Sequence, residues 1–343
     1  MSGVNPPPLE LTREQVLAFR RRVGALHERL PPGAGSLRLA AWAGLTDSVP
    51  RAALLSLHAR VAGVGPATWE DPSLVQVWGP RFSAYVVAAP DLPVFSLGRL
   101  PDGGAALRRA VELAARLDAF LDGRRMPYGE AGHAMGERPN RLRYAAATGR
   151  VVMRWDGARK PVIWTVPAPS LDPLEARLEL ARRYLHVFAP GTPQGFAGWA
   201  GIRPARAHGA FDALAASLVT AKTPIGKGWI LAADEPALRA PAGPAAPARL
   251  LPSGDSYYLL QGADRALLLP DAEQRRALWT TRVWPGAVLV AGDIVGTWRR
   301  ADAEVTISAW RHLSPAERHA LEAEARSLPL PGLDGPPTVR WAA

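Results

Sequence analysis

The chain has 343 residues, enough for two or three domains or for one large domain with several small cores. Its 48% hydrophobic and 21% charged residues suit a folded globular protein, but a net charge of +10 suits a polyanionic partner, nucleic acid above all. Cysteine is absent, which excludes disulfides, thiolate zinc sites and thiol nucleophiles.

Lys160, Lys222 and Lys227 are the only lysines. The other basic residues are arginine, whose planar donor fork suits phosphate and bases, although a GC-rich genome produces the same bias. Met1 to Pro6 has neither the basic nor the apolar region of a signal peptide, and no run approaches the ~18 to 20 apolar residues that span a bilayer. The expectation is a cytoplasmic, nucleoid-associated protein.

Thr12-Arg13-Glu14-Gln15 is a capping box that predicts a helix to about Leu30, where Pro31-Pro32-Gly33 stops it. Ser36 is expected to cap a short second helix that ends at Gly44-Leu45, and Pro50 to begin a third over Arg51 to Val61. Leu74 to Trp78 and Tyr85 to Ala89 read as strands, the place for a wing after a helix-turn-helix.

The pattern recurs. A helix over Ala105 to Leu121 leads to a short one near Tyr128 to Met135 and a basic one from Pro139 to Gly149. Strands at Val151 to Trp155 and Pro161 to Val166 follow, joined by the hairpin signal Asp156-Gly157. Further on, Trp199-Ala200-Gly201-Ile202 echoes Trp42-Ala43-Gly44-Leu45, and each precedes a proline-led, alanine-rich helix. Asp172-Pro173 opens a long helix through Phe188, and Thr192-Pro193 opens the next.

Ala240 to Ala248 is a proline/alanine linker. Beyond it, strands are expected at Ser256 to Leu260, Ala266 to Leu269, Ala287 to Val290, Ile294 to Arg299 and Val305 to Ala309, with a turn at Gly292-Asp293. Ser314-Pro315-Ala316-Glu317 caps a final helix to about Ser327.

Four segments in this order resemble the AlkZ/YcaQ family of bacterial DNA glycosylases. They are Gly44 to Leu54 with His58-Ala59-Arg60-Val61; Leu74 to Trp78 with Arg81; Tyr184 to Trp199; and Arg249-Leu250-Leu251-Pro252 with Asp255, Val288-Leu289-Val290 and Val295 to Arg300. The resemblance runs from roughly Leu11 to Arg311. It implies an α+β fold of tandem winged-helix units with a small β-barrel, arranged as a C-shaped clamp on double-stranded DNA. The units would be winged helix 1 over 11–100, winged helix 2 over 103–167, winged helix 3 over 171–235, the barrel over 249–311, and a C-terminal helix over 314–328. It further implies excision of alkylated, sometimes bulky or crosslinked, purines without a metal or cofactor.

The family's catalytic motif is glutamine, any residue, then glutamine or aspartate; here Thr46-Asp47-Ser48 stands at those positions. Hydrolysing an N-glycosidic bond builds positive charge on the sugar, which a carboxylate stabilises, so Asp47 is the catalytic candidate and Thr46 and Ser48 the milder contributors. Asp47 and Ser48 also precede a proline-led helix, where such residues commonly cap. If the motif is extended, Asp47 points away from the face that Thr46 and Ser48 share. The DNA-contact candidates are Arg51, Arg81 and Tyr85 in the first unit, with Tyr85 where the family carries a wing histidine. Arg138, Arg141, Arg143, Tyr144, Arg154, Arg159 and Lys160 follow in the second, Arg203 and Arg206 in the third, and Arg299 and Arg300 on the barrel.

Two functions follow. One is a DNA glycosylase that delivers water to the sugar C1′. The other is a non-catalytic DNA-binding protein, a damage sensor or regulator. Three units on one chain fit a monomeric clamp that grips backbone, whereas a regulator of this type commonly reads palindromes as a dimer.

Overall fold

The computed structural model describes residues 7–157, 160–259, 262–330, 332–333 and 335–342. A short strand β1 (Leu9–Glu10) leads to α1 (Arg13–Val23), where the reciprocal Thr12/Gln15 capping box forms as expected. The helix stops well before Leu30, because Gly24 caps it and Ala25 turns left-handed at φ +50°. Next come α2 (Ala34–Ala40), β2 (Leu45–Thr46) and α3 (Ala52–Arg60). Ser36 lies inside α2, with Gly33 at its N-cap, and Arg51 is left-handed so that α3 begins one residue late. The hairpin β3 (Leu74–Trp78) and β4 (Ala84–Ala88) follows, then α4 (Leu92–Leu97).

The second group is α5 (Gly104–Leu121), β5 (Met126–Pro127), α6 (Tyr128–Ala134), a tight helical segment over Pro139–Thr148, and the strands β6 (Val151–Arg154) and β7 (Val162–Thr165). The third is α7 (Pro173–Val187), α8 (Pro193–Ala200), α9 (Pro204–Leu214), the hairpin β8 (Leu218–Thr223) and β9 (Gly226–Leu231), and α10 (Glu235–Arg239). Asp172 and Thr192 cap α7 and α8 through their side-chain oxygens, which accept from backbone N–H groups of the first turn.

The groups share sheets. The first two hairpins merge into one six-stranded sheet, β2-β4-β3-β6-β7-β5, joined where Gln76 pairs with Met153. The N-terminal strand β1 runs parallel to β8 and completes a three-stranded sheet, β1-β8-β9.

The C-terminal region holds β10 (Arg249–Leu251), α11 (Asp264–Leu268), α12 (Ala272–Leu278), β11 (Gly286–Val290), β12 (Asp293–Ala301), β13 (Glu304–Ala309), α13 (Pro315–Arg326) and β14 (Thr338–Trp341). The expected closed barrel is not formed by the described residues. The strands make an open sheet, β10-β11-β12-β13-β14. Its apolar side, Leu250, Val288, Val295, Trp298 and Ile307, is covered by Leu321, Ala325 and Leu328 of α13 and the residues after it, so a helix does the work that closure was expected to do. Two expected strands are also absent. Residues 256–259 wrap around Asp255, whose backbone oxygen accepts from Tyr258 and Leu259, and Leu260 lies outside the described residues. Ala266 to Leu269 falls mostly within the helix α11. Among the described residues, no helix is long and apolar enough to cross a membrane.

Candidate active-site cleft

The segment between α2 and α3 builds the floor of a cleft. Gly44 turns at φ +69°, a conformation that suits glycine, and a Cβ there would lie 2.9 Å from both Tyr85 and Phe95. The chain then pairs with β4, Leu45 opposite Val86 and Thr46 opposite Tyr85, and Asp47 N–H donates to Ala84 O at 2.8 Å. In this extended stretch the side chains alternate.

Asp47 points inward, with 0% exposure. Its Oδ1 accepts from Ala53 N at the start of α3 (3.0 Å), and its Oδ2 accepts from Gln76 Nε2 (2.7 Å). Burial pushes its carboxyl up to about 7, against the opposing pull of the Ala53 hydrogen bond, the Arg51 charge and the Gln76 amide. The sequence's candidate for the catalytic carboxylate is thus a helix-capping group beneath the floor. Gln76 carries the contact onward, since its Oε1 accepts from Trp155 N–H.

Thr46 and Ser48 share the other face, and both line a lobe of about 270 Å³. The Thr46 hydroxyl donates to Gly254 O at 2.9 Å and is buried, whereas Ser48 is exposed. The lobe is walled by Arg81, Ser83, Ser253, Leu259 and the segment Arg282-Val283-Trp284. A second lobe of about 570 Å³ also contains Ser48, Arg81 and Ser83, and continues past Phe82, Tyr128, Arg143, Trp155 and Lys160. Ser48 therefore sits where the two lobes meet. Among the described residues lining them are four cations, Arg81, Arg143, Lys160 and Arg282, and no carboxylate. Arg143 Nε is buried without a hydrogen-bond partner.

Between the lobes lies the turn from Gly79 to Ser83. Its two central residues, Arg81 and Phe82, are both left-handed at φ +56°, a conformation costing about 1–3 kcal/mol at each non-glycine residue. The turn is held by Gly79 N–H donating to Ser83 O (2.9 Å) and by the ring of Phe82 lying 5.0 Å from the Arg99 guanidinium. Arg99 is buried and donates to Trp78 O and Ala200 O, and burial lowers it to about 10.

The walls are tied to α3 by a buried ion pair. Arg60 meets Asp255 through two hydrogen bonds, of 2.6 and 2.7 Å, and Ser56 Oγ donates to the same carboxylate at 2.6 Å. This pair holds the Ser253–Leu259 segment against the helix that follows the motif.

Several expected contact residues lie elsewhere. Tyr85 is fully buried in the space that Gly44 and Gly79 leave for its ring, and burial raises its hydroxyl. Arg51 stacks on Trp69 at 4.2 Å, and Arg154 stacks on the same ring and pairs with Glu70. Arg206 pairs with Asp102, and Arg141 with Glu137. Tyr144 is 42% exposed and packs edge-on against Phe82, just outside the second lobe. Arg138, Arg203, Arg299 and Arg300 are exposed but do not line the cleft, and Arg159 lies outside the described residues. The cleft residues that sequence reasoning missed include Phe82, Ser83, Tyr128, Trp155, Ser253, Leu259 and Arg282 to Trp284. Only Trp155 had a signal, as the neighbour of the Asp156-Gly157 turn.

The family model described as DNA glycosylase AlkZ-like matches residues 39–329, a span that includes the whole floor and both walls. The structure of Streptomyces sahachiroi DNA glycosylase AlkZ is similar, with a TM-score of 0.75 at 19% identity over 97% of this chain and 100% of that one. No curated protein matches the sequence.

Proposed function

Since the chain belongs to the AlkZ-like family of DNA glycosylases, we propose that it is a monofunctional enzyme hydrolysing the N-glycosidic bond of alkylated or bulky-adducted purines in duplex DNA. The observation that carries this reading is the position of Ser48. The motif's exposed hydroxyl stands at the junction of two lobes ringed by cations that suit phosphate and aromatic faces that suit a base.

An alkylated purine is already a good leaving group, so the protein has two tasks: to hold a water beside C1′ and to favour the cationic sugar. In this reading Ser48, with Ser83 beside it, orients the water. Asp47 acts from below as a positioning residue that fixes the floor to α3 and to Gln76, and its negative charge, when present, favours the same cation. Arg81, Arg143, Lys160 and Arg282 hold the phosphates flanking the everted nucleotide. The tandem helix-and-hairpin groups serve as winged-helix units along the duplex, the first two acting as one body because β3 and β6 share a sheet.

The buried carboxylate favours a second reading. With Asp47 occupied as a cap and Thr46 engaged by Gly254, the cleft presents a hydroxyl and no anion, as in a damage sensor that binds without excising. Incubation with duplexes containing N7- and N3-alkylpurines, followed by alkali to reveal abasic sites, separates the two. Strand breaks lost in Ser48→Ala support the enzyme; tight binding with no breaks from any such duplex leaves the sensor.

A further inference from the structure

Among the described residues, the loop between α12 and β11 carries the most exposed of the large apolar side chains, Val283, at 59%. It is not a loose loop. Thr280 Oγ1 donates to Val283 O at 3.1 Å, and Arg299 Nη2 donates to the same oxygen at 3.3 Å. Its base is clamped on both sides: Trp279 Nε1 donates to Tyr258 O, the Trp284 ring lies 6.4 Å from that of Tyr258, and Arg265 packs on both indoles at 4.9 and 5.4 Å. The backbone of the tip is therefore fixed while its side chain stands in solvent, and that tip forms the rim of the lobe that holds Ser48.

An exposed valine on a rigid tip keeps apolar surface in water that a binding partner can cover. It gains an environment if a base leaves the stack beside it. Apolar side chains that enter base steps are a known means of holding DNA open, and an everted base leaves a gap of that kind. We propose that Val283 is the wedge that fills the space vacated by the everted nucleotide, and that Arg282 holds the adjacent phosphate while the base lies in the cleft over Ser48. Val283 touches neither the reacting bond nor the water, so it is a positioning residue. The inference rests on the base-excision reading.

The test uses the full chain and a duplex with 7-methylguanine beside 2-aminopurine, whose emission rises when it unstacks. Wild-type protein is expected to raise the emission, and Val283→Ala to leave it near the free-duplex level at DNA concentrations where anisotropy shows it bound. Single-turnover excision by Val283→Ala should fall ~10-fold or more on the paired duplex and less than ~2-fold when the lesion faces an abasic site, where the stack is already open. Val283→Leu should restore both signals, which a damaged fold would not allow. Excision by Val283→Ala at the wild-type rate on the paired duplex, or an equal loss on both duplexes, overturns the wedge while leaving the glycosylase intact. Emission that rises with wild type and not with Val283→Ala, without any excision, supports the wedge and removes the enzyme.

Discussion

Two stretches of this chain begin with nearly the same residues and end in different structures. Trp42-Ala43-Gly44-Leu45 and Trp199-Ala200-Gly201-Ile202 both place a left-handed glycine, at φ +69° and +71°, after a short helix. After Gly201 the chain goes almost straight into α9, with Arg203 as the residue before its first turn. After Gly44 it first makes a strand with β4, and Leu45 to Arg51 intervene before α3. Those intervening residues are the site. The same turn thus serves as a plain helix connector in one place and, lengthened, as a platform carrying Thr46, Asp47 and Ser48 in the other. The difference reaches the surroundings as well: the platform is backed by the buried Arg60–Asp255 pair, the plain turn by Arg206 with a largely exposed Asp102.

That contrast predicts the largest effect. Arg60→Ala strands the Asp255 carboxylate in the interior and should cost about 3–5 kcal/mol in urea denaturation, whereas Arg206→Ala should cost less than about 1 kcal/mol. Similar costs for both would mean that the platform is no better anchored than the connector.

Next comes the chemistry. Ser48→Ala should lower single-turnover excision by ~10²-fold, about 2.7 kcal/mol in barrier, with stability unchanged because the hydroxyl is exposed. Arg203→Ala, in the plain connector between Gly201 and α9, should leave excision within ~2-fold. Loss of activity in Arg203→Ala with full activity in Ser48→Ala would move the site away from the lengthened turn.

The third prediction couples the two turns. A Cβ on Gly201 would lie 2.9 Å from Arg81 N and 3.0 Å from its Cα, and Arg81 lies in the strained turn of the cleft. Gly201→Ala should therefore cost about 2 kcal/mol, from the left-handed backbone and the clash, and also slow excision although Gly201 does not line the cleft. Normal excision in a destabilised Gly201→Ala would show that the connector and the cleft are independent.

What was legible in the sequence was local. The caps at Thr12, Asp172, Thr192 and Ser314 form because each oxygen reaches N–H groups only two or three residues on. The alternation rule, applied to an extended motif, separates Asp47 from Thr46 and Ser48, and the pairing of β2 with β4 makes the motif extended. The illegible parts depend on distance along the chain. Arg60 and Asp255 are 195 residues apart, and Arg282 to Trp284 carries no periodicity that would direct it to the motif. The run Ala266 to Leu269 is apolar and short, a pattern that strand and buried helix share, and it lies mostly in helix α11. The barrel failed for a related reason: strand patterns report an apolar face, but not whether a sheet closes or a helix covers it.

The smallest effect concerns the charge under the platform, and it lies in a slope. Burial raises the Asp47 carboxyl to about 7 from its ordinary value near 4, so between those limits the folded state binds more protons than the unfolded state. A folded-state pKa that is raised makes stability fall as pH rises through that window, by at most about 1.4 kcal/mol per pH unit for one group. Asp47→Asn cannot titrate, so its stability should lack this contribution and decline less steeply from pH 4 to pH 7 than that of the wild type. The level is a separate matter. Asparagine keeps an oxygen for Ala53 N–H but turns an NH₂ toward the Gln76 amide, which itself faces Asp47 with its nitrogen because its oxygen accepts from Trp155 N–H. That mismatch costs stability at every pH and shifts the curve without tilting it. Urea midpoints at half-unit steps for both proteins separate the two effects. Parallel curves would mean that Asp47 stays ionised in the fold across the window, held by the hydrogen bonds from Ala53 and Gln76. The platform would then carry a permanent negative charge beneath Ser48, the condition under which Asp47→Asn should also slow excision.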